Sequence, residues 1–94
     1  MPMKTKKLSL LHTVQTKTCR GVPLELQYEL LTQCDRRGSE SYGVKITARR
    51  GAEKEEAALS DLTSRPEKIR PFIDRLARGA VTPECLREVV EDWL

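Results

Sequence analysis

The spacing of hydrophobic residues changes near Ser64. Before that residue, apolar side chains mostly recur at every second position, and after it they recur at intervals of three and four. Alternation places apolar residues on one side of a strand, whereas the longer period places them along one face of a helix. The chain therefore predicts strands up to residue 63 and helices from residue 64 onward.

The clearest predicted strand is the run VPLELQYELLTQC. Its apolar residues from Val22 to Leu30 alternate with mostly polar ones, so one face enters a core and the other meets water. The preceding run, LSLLHTVQTKT, alternates less well, but its Thr and Val content suits a second strand.

The loop Cys19-Arg20-Gly21 sets the predicted pairing of these two strands. The last position of a three-residue hairpin loop usually needs a left-handed backbone, which glycine adopts easily. With this loop, Val14 faces Leu26 and Leu10 faces Leu30, so the two apolar faces coincide. A two-residue turn would place leucines opposite polar side chains, and we reject it for that reason.

Two further strands follow. SYGVKITA places alternate apolar residues from Tyr42 to Ala48 on one face. The Ala and Glu content of EEAALSDL favours a helix, but as a fourth strand it would put Ala58, Ser60 and Leu62 on the core face. We interpret it as that strand.

The C-terminal third predicts two amphipathic helices. Ser64 and Glu67 have the spacing of a capping box, and Gly79 suits a left-handed C-cap. Pro71 is discordant, because it removes a backbone hydrogen bond, so we expect a kink there or a helix start nearer Arg70. The second helix has Thr82 at the N-cap with proline directly after it, and its apolar stripe runs to the end of the sequence.

These elements predict an α+β domain over residues 8–94, preceded by a flexible basic tail over residues 1–7. A four-stranded antiparallel meander (β-β-β-β-α-α) would be covered on one face by a C-terminal helical hairpin. The predicted core consists of Leu24, Leu26, Tyr28, Leu30, Val44, Ile46, Ile69, Phe72, Ile73, Leu76, Leu86, Val89, Val90 and Trp93.

The charge distribution argues against a nucleic-acid reader. The net charge is +3, but Lys4, Lys6 and Lys7 account for it, because 17 basic residues less these three equal the 14 acidic ones. The exposed positions of the second helix are mostly acidic, unlike those of a recognition helix. Nucleic-acid binding remains the alternative hypothesis, and its candidate residues are Arg36, Arg37, Arg49, Arg50, Lys68 and Arg75.

Residues able to carry catalysis are sparse. There is a single histidine, His12, and a hydrogen-bonded ring at the sheet margin explains it better than a general base. Cys19, Cys34 and Cys85 lack the spacing of a metal site and are expected to be free thiols in a reducing compartment. We predict no enzyme, no cofactor and no metal. With no signal-peptide pattern and no segment able to span a bilayer, we expect a cytoplasmic protein and no membrane partner.

Protein binding is the leading functional hypothesis. If the helices cover the even-numbered sheet face, then Leu11, Leu31, Ala57 and Leu59 fall on the other face. We take Leu11, Leu31 and Leu59 as the candidate surface for an unknown protein partner or for a homodimer.

Several segments resemble a family of small proteins from anaerobic Gram-positive bacteria that is classed as a domain of unknown function. The resemblance lies in Tyr42-Gly43-Val44 with Ile46, and in a C-terminal helix that begins at Val81-Thr82-Pro83 and ends in Glu91-Asp92-Trp93-Leu94. It covers most of the chain from the second strand onward. It implies a bacterial cytoplasmic origin and brings no known activity and no functional residues.

Overall fold

The computed structural model of the protein describes residues 5–18, 20–35 and 37–93. Four antiparallel strands form one sheet in the order β1-β2-β3-β4, and two helices follow, which confirms the predicted α+β meander. The elements are β1 (Thr5–Lys17), β2 (Pro23–Cys34), β3 (Glu40–Arg50), β4 (Glu53–Thr63), α1 (Pro66–Arg78), a 3-10 turn (Pro83–Cys85) and α2 (Leu86–Trp93).

The last three residues of the predicted flexible tail over residues 1–7 belong to a strand. Thr5–Lys7 belong to β1, where Lys6 pairs with Gln33 and Lys7 with Thr32. The rest of the predicted tail, residues 1–4, lies outside the described residues. Two of the three lysines that give the chain its net charge are therefore held on an ordered strand.

The hairpin of β1 and β2 has the predicted pairing next to its turn. Val14 faces Leu26, Lys17 faces Pro23, and Gly21 has a φ of 80°, as the three-residue loop requires. Cys19, the first residue of the predicted loop, lies outside the described residues.

Farther from the turn the predicted pairing is wrong, because β1 contains a bulge at Leu11. Leu10 pairs with Glu29 instead of Leu30. His12 pairs with Tyr28, the neighbour of Glu29 in β2, so Leu11 has no partner residue in β2. One extra residue reverses the side to which every earlier side chain of the strand points. Leu10 therefore lies on the sheet face that the helices do not cover, which we call the outer face.

In the fourth strand, too, the residues that face the core differ from those predicted. A two-residue turn pairs Arg50 with Glu53, so Ala57 and Leu59 lie opposite the core residues of β3. The prediction that Ala58 and Ser60 face the core is wrong, and both are exposed. An irregularity with Asp61 at a φ of 58° follows, and it returns the next residue, Leu62, to the core.

The termini of α1 differ from the predicted caps. Arg65 is the N-cap, without a side-chain hydrogen bond, so the predicted capping box at Ser64 is wrong. The helix begins at Pro66 and continues through Pro71, so the predicted start nearer Arg70 is also wrong. At the other end Gly79 has a φ of −86°, and Ala80 takes the left-handed conformation with a φ of 48°.

The two helices cover one face of the sheet and bury the core beneath them. The aromatic rings of Phe72 and Trp93 stack with centroids 4.3 Å apart, which fastens the end of α2 to α1. The fully or nearly buried core residues are Leu26, Tyr28, Leu30, Tyr42, Val44, Ile46, Ala48, Ile69, Phe72, Ile73, Leu76, Leu86 and Val90. Leu24, Val89 and Trp93, three predicted core residues, are only partly buried at its margin.

Tyr28 joins the sheet to the segment between the helices. Its ring is fully buried, and its hydroxyl donates a hydrogen bond of 2.9 Å to the carbonyl oxygen of Val81. Burial raises the pKa of Tyr28 to about 12, because the phenolate would lose its hydration there.

We predict that Tyr28→Phe lowers the free energy of unfolding by about 1 kcal/mol at neutral pH, the usual value of one hydrogen bond. The folded-state pKa of Tyr28 lies above its ordinary value of 10, so its neutral form stabilises the fold below pH 10, and this contribution is lost as pH rises toward 12.

Urea unfolding of wild type and Tyr28→Phe from pH 7 to 11.5 measures both effects, and the alkaline loss should be smaller in the variant. Tyr42, whose pKa is raised by its hydrogen bond to Glu40, titrates in both proteins and serves as an internal reference. Equal alkaline losses in the two proteins would contradict the role given to Tyr28.

Candidate functional site

On the half of the outer face formed by β3 and β4, the central charged side chains form ion pairs with one another. The Lys45 Nζ lies 2.7 Å from the Glu56 carboxylate, and the Lys54 Nζ lies 3.2 Å from the same group. These contacts raise the pKa of Lys45 and lower that of Glu56. This half of the face therefore has no unbalanced charge at its centre to attract a partner.

The other half of the outer face, at β1 and β2, carries three leucines among polar and charged residues, and one of these leucines, Leu10, lies opposite Glu29. Leu8 and Leu10 are 44% and 55% exposed, and Leu8 pairs across the sheet with Leu31. Leu31 is only 8% exposed although it lies on the uncovered face, and its other neighbour, Gly43, has no side chain. We call Leu8, Leu10 and Leu31 the leucine patch.

The leucine patch borders an open edge of the sheet, because β1 has a neighbouring strand on one side only. An edge strand presents backbone N–H and C=O groups that have no partner in the sheet. The strand contains Lys6, Lys7 and Lys17 and no acidic residue. Among the described residues, no ion pair involves these three lysines. We call this strand, with its lysines, the β1 edge.

The structure places the predicted partner-binding residues differently from the expected positions. Leu31 lies on the outer face, but Leu11 and Leu59 pack against the core. The bulge turns Leu11 inward, and the tight turn before β4 gives Leu59 the opposite phase. Leu8 and Leu10 were missed. The one available signal was the adjacent pair Leu10-Leu11, which breaks the alternation of β1.

The candidate nucleic-acid residues that the structure describes do not form one surface. Arg37 precedes β3, whereas Arg49 and Arg50 end it, a separation of about 35 Å at the usual rise per strand residue. Arg50 also lies 3.4 Å from the carboxylates of both Glu53 and Glu55.

The remaining candidates belong to other parts of the chain. Lys68 and Arg75 are on α1, which covers the opposite face of the sheet from Arg49. Arg36 lies outside the described residues. No continuous cationic surface joins the described members of this set.

His12 has the hydrogen-bonded partner expected for a ring at the sheet margin. Its Nε2 donates to the Asp74 carboxylate at 2.6 Å and so connects β1 with α1. Both side chains are partly exposed. We therefore assign His12 a structural role, because its hydrogen bond links the sheet to the helix that covers it.

Two thiols lie within the residues that the structure describes. Cys34 and Cys85 are both free. Cys34 lines a cleft of ≈ 300 Å³ together with Asp35, Glu40 and Asp61. Within residues 5–18, 20–35 and 37–93, no three His, Cys, Asp or Glu side chains are grouped in a way that could hold a metal ion. None of the described helices is long and apolar enough to cross a membrane.

The fold and its surface define a small two-layer α+β domain with one open cationic sheet edge. The chain belongs to DUF6514, a family of unknown function, whose model matches residues 7–94. This confirms the resemblance to an uncharacterised family. No match to the chain was found among curated proteins or among solved structures.

Proposed function

We propose that this protein is a small non-enzymatic module of the bacterial cytoplasm that binds another protein through the β1 edge and the leucine patch. The observation that carries the proposal is the exposure of Leu8 and Leu10 directly beside an unpaired sheet edge. Exposed apolar side chains next to open backbone groups are typical of surfaces to which an extended partner segment binds. Free thiols at Cys34 and Cys85 suit a reducing compartment.

The opposite edge of the sheet is less suited to a partner. β4 carries the ion-paired Glu53, Lys54 and Glu56, and near its end Asp61 adopts a left-handed backbone that interrupts regular pairing. These charges already have partners within the sheet, and among the described residues no exposed large hydrophobic side chain lies on β4. Both edges contain a regularly paired stretch, Thr5–Leu10 in β1 and Glu53–Leu59 in β4, so the exposed leucines are what distinguish the β1 edge.

Site-specific photo-crosslinking in the native cell tests this proposal. Benzoylphenylalanine replaces Leu8 in one variant and Val22 in the other, because the two side chains are equally exposed at 44% and only Leu8 belongs to the leucine patch. We expect a discrete cross-linked protein with the probe at position 8, and we expect Leu10→Asp to remove it. The same products at positions 8 and 22 would contradict the proposed site.

Nucleic-acid binding has weaker support, because its candidate cations lie at opposite ends and on opposite faces of the sheet. A salt-titrated binding assay with duplex and single-stranded probes distinguishes the two functions. A steep fall in affinity with salt is the mark of phosphate binding. We expect no measurable affinity at physiological ionic strength.

A further inference from the structure

The charge of the β1 edge indicates what kind of segment binds there. Resting on the proposed protein-binding function, we infer that the partner supplies an acidic extended segment, which adds to β1 as a fifth strand of the sheet. Its backbone would pair with the open edge. Its side chains would meet Lys6, Leu8 and Leu10 on the outer face and Lys7 on the face that the helices cover.

In the part of the hairpin that the structure describes, no carboxylate lies within ion-pair distance of the β1 lysines. Lys6, Lys7 and Lys17 pair across the strands with Gln33, Thr32 and Pro23, all of them uncharged. In contrast, the outer-face lysines of β3 and β4 each contact a carboxylate. Opposite charges on neighbouring strands attract, so Asp or Glu residues on an added strand would supply the missing counterions.

The bulge determines which part of the edge is used. It divides β1 into Thr5–Leu10 and His12–Lys17, and a regular partner strand can pair with one segment at a time. The first segment holds two of the three lysines and both exposed leucines. It spans about 20 Å at the usual rise per residue, which corresponds to roughly six residues of a partner.

The same charges disfavour a second copy of this chain at the edge. Pairing β1 with its own copy would bring together two strands that each carry three lysines and no acid. Lysines on an edge strand are a known means of preventing such self-association. The β1 edge thus selects an acidic partner over itself, since specificity arises from repelling the wrong strand as well as attracting the right one.

A labelled peptide and the purified protein test the inference. The probe is a blocked, fluorescein-labelled Glu-Val-Asp-Val-Glu-Val-Asp-Val peptide, and fluorescence anisotropy measures its affinity. We expect binding that weakens with salt, and at least tenfold weaker binding to Lys6→Glu/Lys7→Glu. The matched control, Lys68→Glu/Arg87→Glu, has the same change in net charge on exposed helical residues and should bind as wild type does.

Two further peptides test the geometry. A peptide with Lys in place of each acid should not bind, and one with two N-methylated backbone amides should lose affinity, because it cannot complete the strand pairing. In nitrogen-15 NMR spectra of the wild-type protein, the acidic peptide should shift the amides of residues 5–10 most. This measurement does not depend on how well any variant folds.

Several outcomes would overturn the inference: equal weakening in the control variant, undiminished binding of the N-methylated peptide, or NMR shifts centred on another strand. A homodimer that light scattering shows to be disrupted by Leu8→Asp would also overturn it. If cross-linking at position 8 identifies a partner whose binding survives Lys6→Glu/Lys7→Glu, only this inference fails. If that cross-link is absent, the proposed function fails.

Discussion

Gly43→Ala is expected to lower the free energy of unfolding by about 3 kcal/mol, at the upper end of the usual cost of overpacking. A Cβ atom at this position would lie 2.1 Å from the Leu59 carbonyl oxygen and 2.7 Å from the Ser60 Cα. Both atoms are backbone, so no side chain can rotate away to make room. β4 would have to move, and it is paired along β3 on both sides of this point.

Gly79→Ala is the matched control. A Cβ there would meet its nearest atoms at 3.6 and 3.7 Å, which is ordinary van der Waals contact, and the backbone φ of −86° suits any residue. Urea unfolding followed by far-UV circular dichroism measures both variants. The explanation is wrong if Gly43→Ala is no less stable than Gly79→Ala.

The close approach at Gly43 explains why this strand contains a glycine despite its cost in a sheet. The irregular segment of β4 around Ser60 lies against the backbone of β3 at that point. From sequence alone, Gly43 could be placed on the face opposite the core, but nothing in the pattern showed that a neighbouring strand would cross it. Contacts between distant segments determine such a requirement, and local spacing does not report them.

The overall architecture was predictable because the spacing of hydrophobic residues within each segment indicates whether that segment is a strand or a helix. Alternation from Leu24 to Leu30 predicted β2, and a turn glycine at residue 21 fixed the adjacent pairing of β1. The two errors in strand phase arose where a single residue changes the side to which all the others point. Leu11 is inserted into β1, and the two-residue turn between Arg50 and Glu53 sets the phase of β4.

Those phase errors carried over into the candidate site. Leu31 was placed on the outer face correctly, because β2 is regular, while Leu11 and Leu59 were misplaced with their strands. Leu8 was missed because the predicted pairing put it on the core face. The lysines beside it were assigned to a flexible tail, so the combination of an open edge, exposed leucines and positive charge emerged only from the structure.

The helices bury the apolar face of the sheet in one shared core, so we expect the end of α2 to be the second sensitive region. Val90 is nearly fully buried, and Trp93 stacks on Phe72 with the ring planes 16° apart. Removing residues 89–94 deletes most of an eight-residue helix and uncovers Phe72 of α1. The sheet would then expose part of its apolar face to water.

We predict that the chain truncated after Glu88 is unfolded at 25 °C. Losing Val90 and Trp93 together should cost about 5 kcal/mol, judged from large-to-small substitutions in protein cores. That equals the whole stability of many small domains, which lies between roughly 5 and 15 kcal/mol. Far-UV circular dichroism during heating measures the result, since it does not rely on the deleted tryptophan.

The full-length variant Glu91→Ala/Asp92→Ala, which changes two exposed side chains of the same helix, should melt as wild type does. A truncated chain that melted cooperatively near the wild-type temperature would show that the sheet and α1 are sufficient and that α2 does not hold the cover in place.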